Sequence, residues 1–209
     1  GLTAHVTSTT ATTYADAVNQ AIASAPAKDG ELVWLLHDDL APAPDALGTL
    51  VATMTKRHHA AVVGGAHVRW SDSSRLVNVG TTVSRLGARR VGIVVEDDIN
   101  QGQHDWRDDV LAVSLAGALV RRQAWDEIGG IDQGYQGFGS SLEFCRRAWV
   151  IGHDVVVEPR ATLRHAQESL YGRAMAGEGK LTTHVQRRVG EWHHAFAWAN
   201  PAIVLLLAV

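Results

Sequence analysis

Cysteine is almost absent: Cys145 is the single one in 209 residues. That excludes an intrachain disulfide framework and any zinc site built on cysteine pairs, and it permits a reducing compartment. An excess of charge of either sign is missing too. With 19 Lys and Arg against 22 Asp and Glu the formal net charge is -3, so no overall field draws the chain towards nucleic acid. No glycine-rich phosphate loop lies near the N-terminus, and Gly64-Gly65 is too short a signal to replace one, which counts against a nucleotidyltransferase. No secretory leader, internal repeat or low-complexity tract stands out. The uncharged run from Ala195 to Val209 falls short of the roughly 20 residues that cross a bilayer, and Asn200-Pro201 interrupts it.

What is present is an ordinary globular composition, 46% hydrophobic and 20% charged, enough to bury one core with an appendage. The chain starts on Gly1 and stops inside an apolar run, so it is expected to be a piece of a longer protein. Residues 1–190 are expected to form the main domain. Residues 191–209 are expected to be an apolar C-terminal segment, either the start of a membrane helix or a terminal helix packed on the domain.

The run from Glu31 to Leu40 carries the most information: a strand-like apolar stretch ends in adjacent carboxylates, Asp38 and Asp39. Hard oxygen ligands at a strand tip suit a divalent cation held against a phosphate. Ala41-Pro42-Ala43-Pro44 is expected to stop the strand and open a helix from Asp45 to about Arg57, placing the carboxylates at a strand-to-helix junction. Before the strand, Ala15, Val18, Ile22 and Ala25 recur at helical spacing, with threonines in front as N-cap candidates. After the helix, Ala60 to Gly64 reads as a short buried strand ended by Gly64-Gly65, and the alternation favours a parallel sheet. From His67 to about Val95 short alternating segments predict hairpins or a β-rich insertion. The polar stretch Glu96 to Asp109 reads as a long loop. Val110 to Val120 then predicts a buried strand or strand pair, Arg121 to Ile128 a short helix closed by Gly129-Gly130, and Ser141 to Ile151 another helix. Asp154 to Glu158 reads as a strand stopped by Pro159.

Five motifs follow in order: Leu35-Leu-His-Asp-Asp39, Ala116-Gly-Ala-Leu-Val-Arg-Arg122, Trp125 to Asp132, Phe138-Gly139 with Glu143 and Arg146-Arg147, and Gly152 to Ala161 followed by His165. Together, from about residue 14 to 173, they resemble the family 2 glycosyltransferases of GT-A fold. The Gln101-Gly-Gln-His-Asp105 segment looks most like actinobacterial, membrane-associated members. The resemblance implies an α/β fold with a Rossmann-like mixed sheet, helices on both faces and a small β-rich insertion. It implies an inverting transferase that takes a sugar from a nucleotide-sugar donor to a carbohydrate or lipid-linked acceptor of the cell envelope. No nucleic-acid partner is implied, and the expected location is the cytoplasmic face of the cell membrane, reached through a C-terminal region of the full-length protein.

The same resemblance implies Mg2+ or Mn2+ at Asp39 and Asp38, with His165 completing the site and His37 occupying the usual first acidic position. A cation there would offset charge on the departing nucleoside diphosphate. Asp38, Gly117, Arg146 and Arg147 are expected near donor or acceptor, because guanidinium groups bind phosphate. The general base is left open. Ser140-Ser141 stand where the family usually has acidic residues, so Glu143, a carboxylate of the loop from Asp105 to Asp109, or no residue at all takes that role. Salt-bridging of Glu143 to Arg146 or Arg147 is the structural alternative. Gln103, His104, Asp105 and Trp106 have the composition of a sugar-binding lip. Trp70, Trp149 and Trp192 read as core or interface residues, and the remaining histidines, His58-His59 and His193-His194 among them, as surface residues. Nothing before Thr13 supplies the family's first nucleoside-binding strands. The non-enzyme alternative is a degenerate module that binds carbohydrate or a partner subunit.

Overall fold

A computed structural model describes residues 11, 13–25, 30–83, 90–92, 97–108, 110–134 and 139–166. Helix α1 (Tyr14–Ser24) is capped by Thr13, whose side chain accepts from the Asp16 N–H at 3.2 Å, as its leading threonines predict. Strand β1 (Leu32–Trp34) is shorter than the expected run. After the turn at Asp38 and Asp39 the chain does not enter a helix at once but forms a second strand, β2 (Leu40–Pro42). Pro42 is tolerated there because β2 lies at the sheet edge. Helix α2 (Ala46–Lys56) follows, with Ala46, Leu50 and Met54 buried at fourfold spacing.

Two further strands overrun their expected ends. Strand β3 (Ala60–Arg69) continues through Gly64 and Gly65. These glycines serve close packing instead of ending the strand: a Cβ on Gly64 would lie 2.4 Å from that of Val113, and one on Gly65 2.3 Å from the Ala161 carbonyl oxygen. Strand β8 (Asp154–His165) passes through Pro159, because the register against β3 jumps from Gly65 opposite Glu158 to Ala66 opposite Thr162, leaving Pro159, Arg160 and Ala161 in a bulge.

The expected β-rich insertion is present as β4 (Leu76–Asn78), β5 (Thr81–Val83) and β6 (Arg90–Gly92), the last two forming a separate two-stranded sheet. Of the predicted strand from Val110 to Val120 only its end is regular, as β7 (Leu119–Arg121). It leads into α3 (Arg122–Ile128), which Gly129 closes at φ +84°. Helix α4 (Ser140–Val150) precedes β8.

The main sheet runs β1-β7-β3-β8-β2, with β4 added on β3. It is mixed, as the family resemblance implies, and not the parallel sheet that the helix-strand alternation favours: β3 and β8 run parallel, while β1 with β7, β7 with β3, β8 with β2 and β3 with β4 are antiparallel. Both faces are covered. Val155 and Val157 pack with residues of α1, α3 and α4, such as Ile22, Trp125 and Phe144. Val156 faces the other way, onto Leu50 and Met54 of α2. A central sheet buried on both faces explains the near-continuous apolar runs in β3 and β8.

Candidate functional site

The pairing of β2 with β8 sets Leu40 opposite His165, which brings the preceding Asp39 beside the end of β8. The Ala166 N–H donates to the Asp39 carbonyl at 3.0 Å and fixes that approach. Asp39 Oδ1 then lies 3.2 Å from His165 Nε2 and 3.9 Å from His37 Nδ1. His37, Asp39 and His165 each offer a ligand atom within 4.8 Å of the others. These side chains are largely shielded: Asp39 is 13% and His165 12% exposed. Asp38, expected as a second carboxylate ligand, is exposed on the turn and outside this cluster. The imidazole of His37 stands within it instead, braced by the Tyr14 ring at 4.2 Å.

Burial governs the electrostatics. Desolvation lowers the pKa of His37, against the attraction of Asp39, and lowers that of His165 likewise, so both rings are biased to the neutral form that can ligate. His37 Nε2 is buried without a hydrogen-bond partner among the described residues. Behind them, His67 on β3 lies with its Nδ1 3.0 Å from that of His165 and its Nε2 2.8 Å from the Ala116 carbonyl oxygen. It is 3% exposed, contrary to the surface placement expected for it. The signal for its burial is the run of apolar neighbours in an extended strand, which is hidden when the glycine pair is taken as a strand end.

The loop that carries Ala116 is pressed onto the sheet. Gly117 adopts φ +84°, a Cβ there would lie 2.5 Å from Leu163, and its carbonyl accepts from the Trp34 indole N–H at 3.0 Å. Packing thus accounts for its glycine identity.

The acidic candidates for proton transfer lie elsewhere. Glu143 is buried on α4 and takes a two-pronged bond from Arg147, at 2.6 and 2.7 Å; Arg147 also reaches the Gly130 carbonyl at 2.8 Å. Arg146 is half-buried on the same helix. Ser141 accepts from the Leu115 N–H at 3.1 Å, so it anchors the loop before Gly117. Asp105 is exposed in the loop 97–108 and raises the pKa of Arg160 through space, after Glu158, which pairs with Arg160 directly. Within that loop Gln103 spends its amide on the Gln101 N–H and the Ile99 carbonyl, and His104 is half-buried. Trp106 leaves its indole 72% exposed, with Arg107 4.9 Å from the ring. Trp70 is half-exposed under Arg164, Trp149 donates to the Leu111 carbonyl at 3.1 Å, and His58 and His59 are exposed as expected. Asp109, Trp192, His193, His194 and the expected nucleoside-binding front end lie outside the described residues.

A strand-tip carboxylate is thus gathered with two imidazoles on a mixed, doubly covered sheet. Residues 2–178 match the family described as Glycosyltransferase like family 2. The chain belongs to this family. Sixty-two chains of solved structures match. One is a crystal structure of GalNAc-T7 with UDP, GalNAc and Mn2+, similar at TM-score 0.53 and 14% identity over 73% of this chain. That likeness shows the GT-A fold for this family 2 glycosyltransferase domain. The chain spans 30% of the length of that structure. No curated protein matches the chain.

Proposed function

We propose that this domain performs metal-dependent, inverting transfer of a sugar from a nucleotide-sugar donor to a carbohydrate or lipid-linked acceptor of the cell envelope. The observation that carries the reading is the convergence of Asp39, His37 and His165 within 4.8 Å. A buried, unpartnered ring nitrogen on His37 and two neutral-biased imidazoles beside one carboxylate fit a divalent cation of the Mg2+ or Mn2+ type. When bound, the cation would supply positive charge to the diphosphate as the glycosidic bond breaks. Asp39, His37 and His165 would hold it, and Asp38 on the exposed turn would meet the donor. The open indole of Trp106 offers a face for a pyranose.

Inverting transfer needs a carboxylate that reaches the acceptor hydroxyl. Both oxygens of Glu143 are turned to Arg147, a geometry that supports a buttressing role. Asp105, exposed in its loop, is the other candidate base. Turnover by Glu143→Gln and Asp105→Asn in the full-length protein separates them: the base variant loses transfer while keeping donor binding. The second reading, a degenerate carbohydrate-binding module, is favoured by Ser141 and Glu143 being engaged in structural contacts. A nucleotide-sugar panel with Mn2+, read by thermal shift and by product formation on the full-length protein, decides between them: binding without product supports the module.

Among the described residues no helix is long and apolar enough to cross a membrane. Attachment at the cytoplasmic face of the membrane is proposed from the apolar composition of residues 191–209, and fractionation of the full-length protein tests it.

A further inference from the structure

His67 is only 3% exposed, yet its contacts dictate where the hydrogens of the cluster must be. A carbonyl oxygen has no hydrogen to give, so at 2.8 Å from Ala116 the Nε2 of His67 is the donor. The polar contacts of this buried ring are a carbonyl and an imidazole, with no carboxylate to balance a charge, so the ring is neutral and carries one N–H. Its Nδ1 therefore presents a lone pair. The atom facing it at 3.0 Å, Nδ1 of His165, has to donate. A neutral His165 whose hydrogen is on Nδ1 has a bare Nε2, and that bare nitrogen faces Asp39 Oδ1 at 3.2 Å. Two lone-pair atoms so placed repel unless positive charge stands between them. The opposite tautomer would let Nε2–H donate to Asp39 and close the pair on itself.

The fold builds this relay from three segments. Alternation along β3 and β8 puts His67, Leu163 and His165 on one sheet face, the rings of His67 and His165 meeting edge-on at 4.8 Å between centroids. The close seat of Gly117 against Leu163 brings the neighbouring Ala116 carbonyl within reach of His67.

We propose that His67 is a positioning residue that holds His165 in the Nδ1–H tautomer, so that Nε2 is presented with Asp39 to a divalent cation. The proposal rests on the metal reading of the site and adds the group that prepares it. Neighbours that orient a ligating histidine typically contribute about 10- to 100-fold in metal affinity.

The test uses the full chain, ¹⁵N-labelled on histidine, with Mn2+ as the probe for calorimetry. In the metal-free protein, well above the imidazole range, ¹⁵N spectra are expected to show the His165 hydrogen on Nδ1. His67→Phe should move it to Nε2 and weaken Mn2+ binding by about 10- to 100-fold. His67→Gln, whose amide can donate to Ala116 and accept from His165, should restore the tautomer and most of the affinity. A wild-type His165 already carrying its hydrogen on Nε2 overturns the proposal, and so does a folded His67→Phe with unchanged tautomer and affinity. If His67→Phe does not fold, the wild-type tautomer and the His67→Gln affinity decide the outcome. If wild type shows the Nδ1–H tautomer but binds no Mn2+, the metal reading fails while the orienting role of His67 survives.

Discussion

Asp38 and Asp39 are neighbours in sequence and opposites in environment: the first is exposed, the second largely shielded between His37 and His165. Asp39→Ala should therefore lower Mn2+ affinity by at least about 100-fold, whereas Asp38→Ala should change it only a few-fold, both by calorimetry. Equal losses in the two variants would contradict the arrangement. Asp39 and His165 are legible in the sequence because each sits in a recognisable motif. His37 is legible only as a departure from that motif, and His67 not at all, since its partner His165 lies 98 residues further along the chain. At the same scale, Cys145 is buried and its thiol is pushed up to about 12 by desolvation, which leaves little thiolate below that range. It should resist a thiol reagent at pH 8 in the folded protein and react at once on denaturation, as absorbance of the released chromophore would show.

At the level of strands and helices, proline and glycine look like punctuation along the chain, and in the folded sheet they mark close approach. Gly64 and Gly65 lie inside β3, and Pro159 lies inside the bulge of β8, because another segment comes within contact distance at each place. Gly64→Ala should cost about 1–3 kcal/mol in urea unfolding, since Val113 has to move to admit the methyl group. An unchanged midpoint would show that the loop carrying Val113 yields freely. On α4, Glu143→Ala leaves Arg147 facing two carbonyls without its carboxylate, and a loss of about 2 kcal/mol is expected. A stable variant that has lost transfer would instead return Glu143 to the chemistry. The helices themselves are legible to within a residue or two, because fourfold apolar spacing and the Thr13 and Gly129 caps are local signals.

For the whole molecule, the proposed site is shared by the strand-tip turn and the end of β8, so a cation bound there would be coupled to the fold. Mn2+ at about 100 times its dissociation constant should raise the stability of the full chain by about 2.7 kcal/mol. For a domain of this size that is a shift in Tm of roughly 5–10 °C, measurable by calorimetry, and Asp39→Ala should abolish it. The sequence by itself determined the α/β class, the helices and the absence of a disulfide or cysteine-zinc framework, and it marked Asp39 and His165 as candidate ligands, all of which rest on composition, local periodicity or short motifs. Only the tertiary structure decided which strands of the mixed sheet pair, that β2 returns antiparallel beside β8, and that His37 and His67 join the distant His165 in one cluster. Strand partners and register are set by which faces are buried together, a property of the assembled sheet that no single segment contains. Asp39 and His37 of the strand tip become a three-residue cluster because that pairing carries His165 to them.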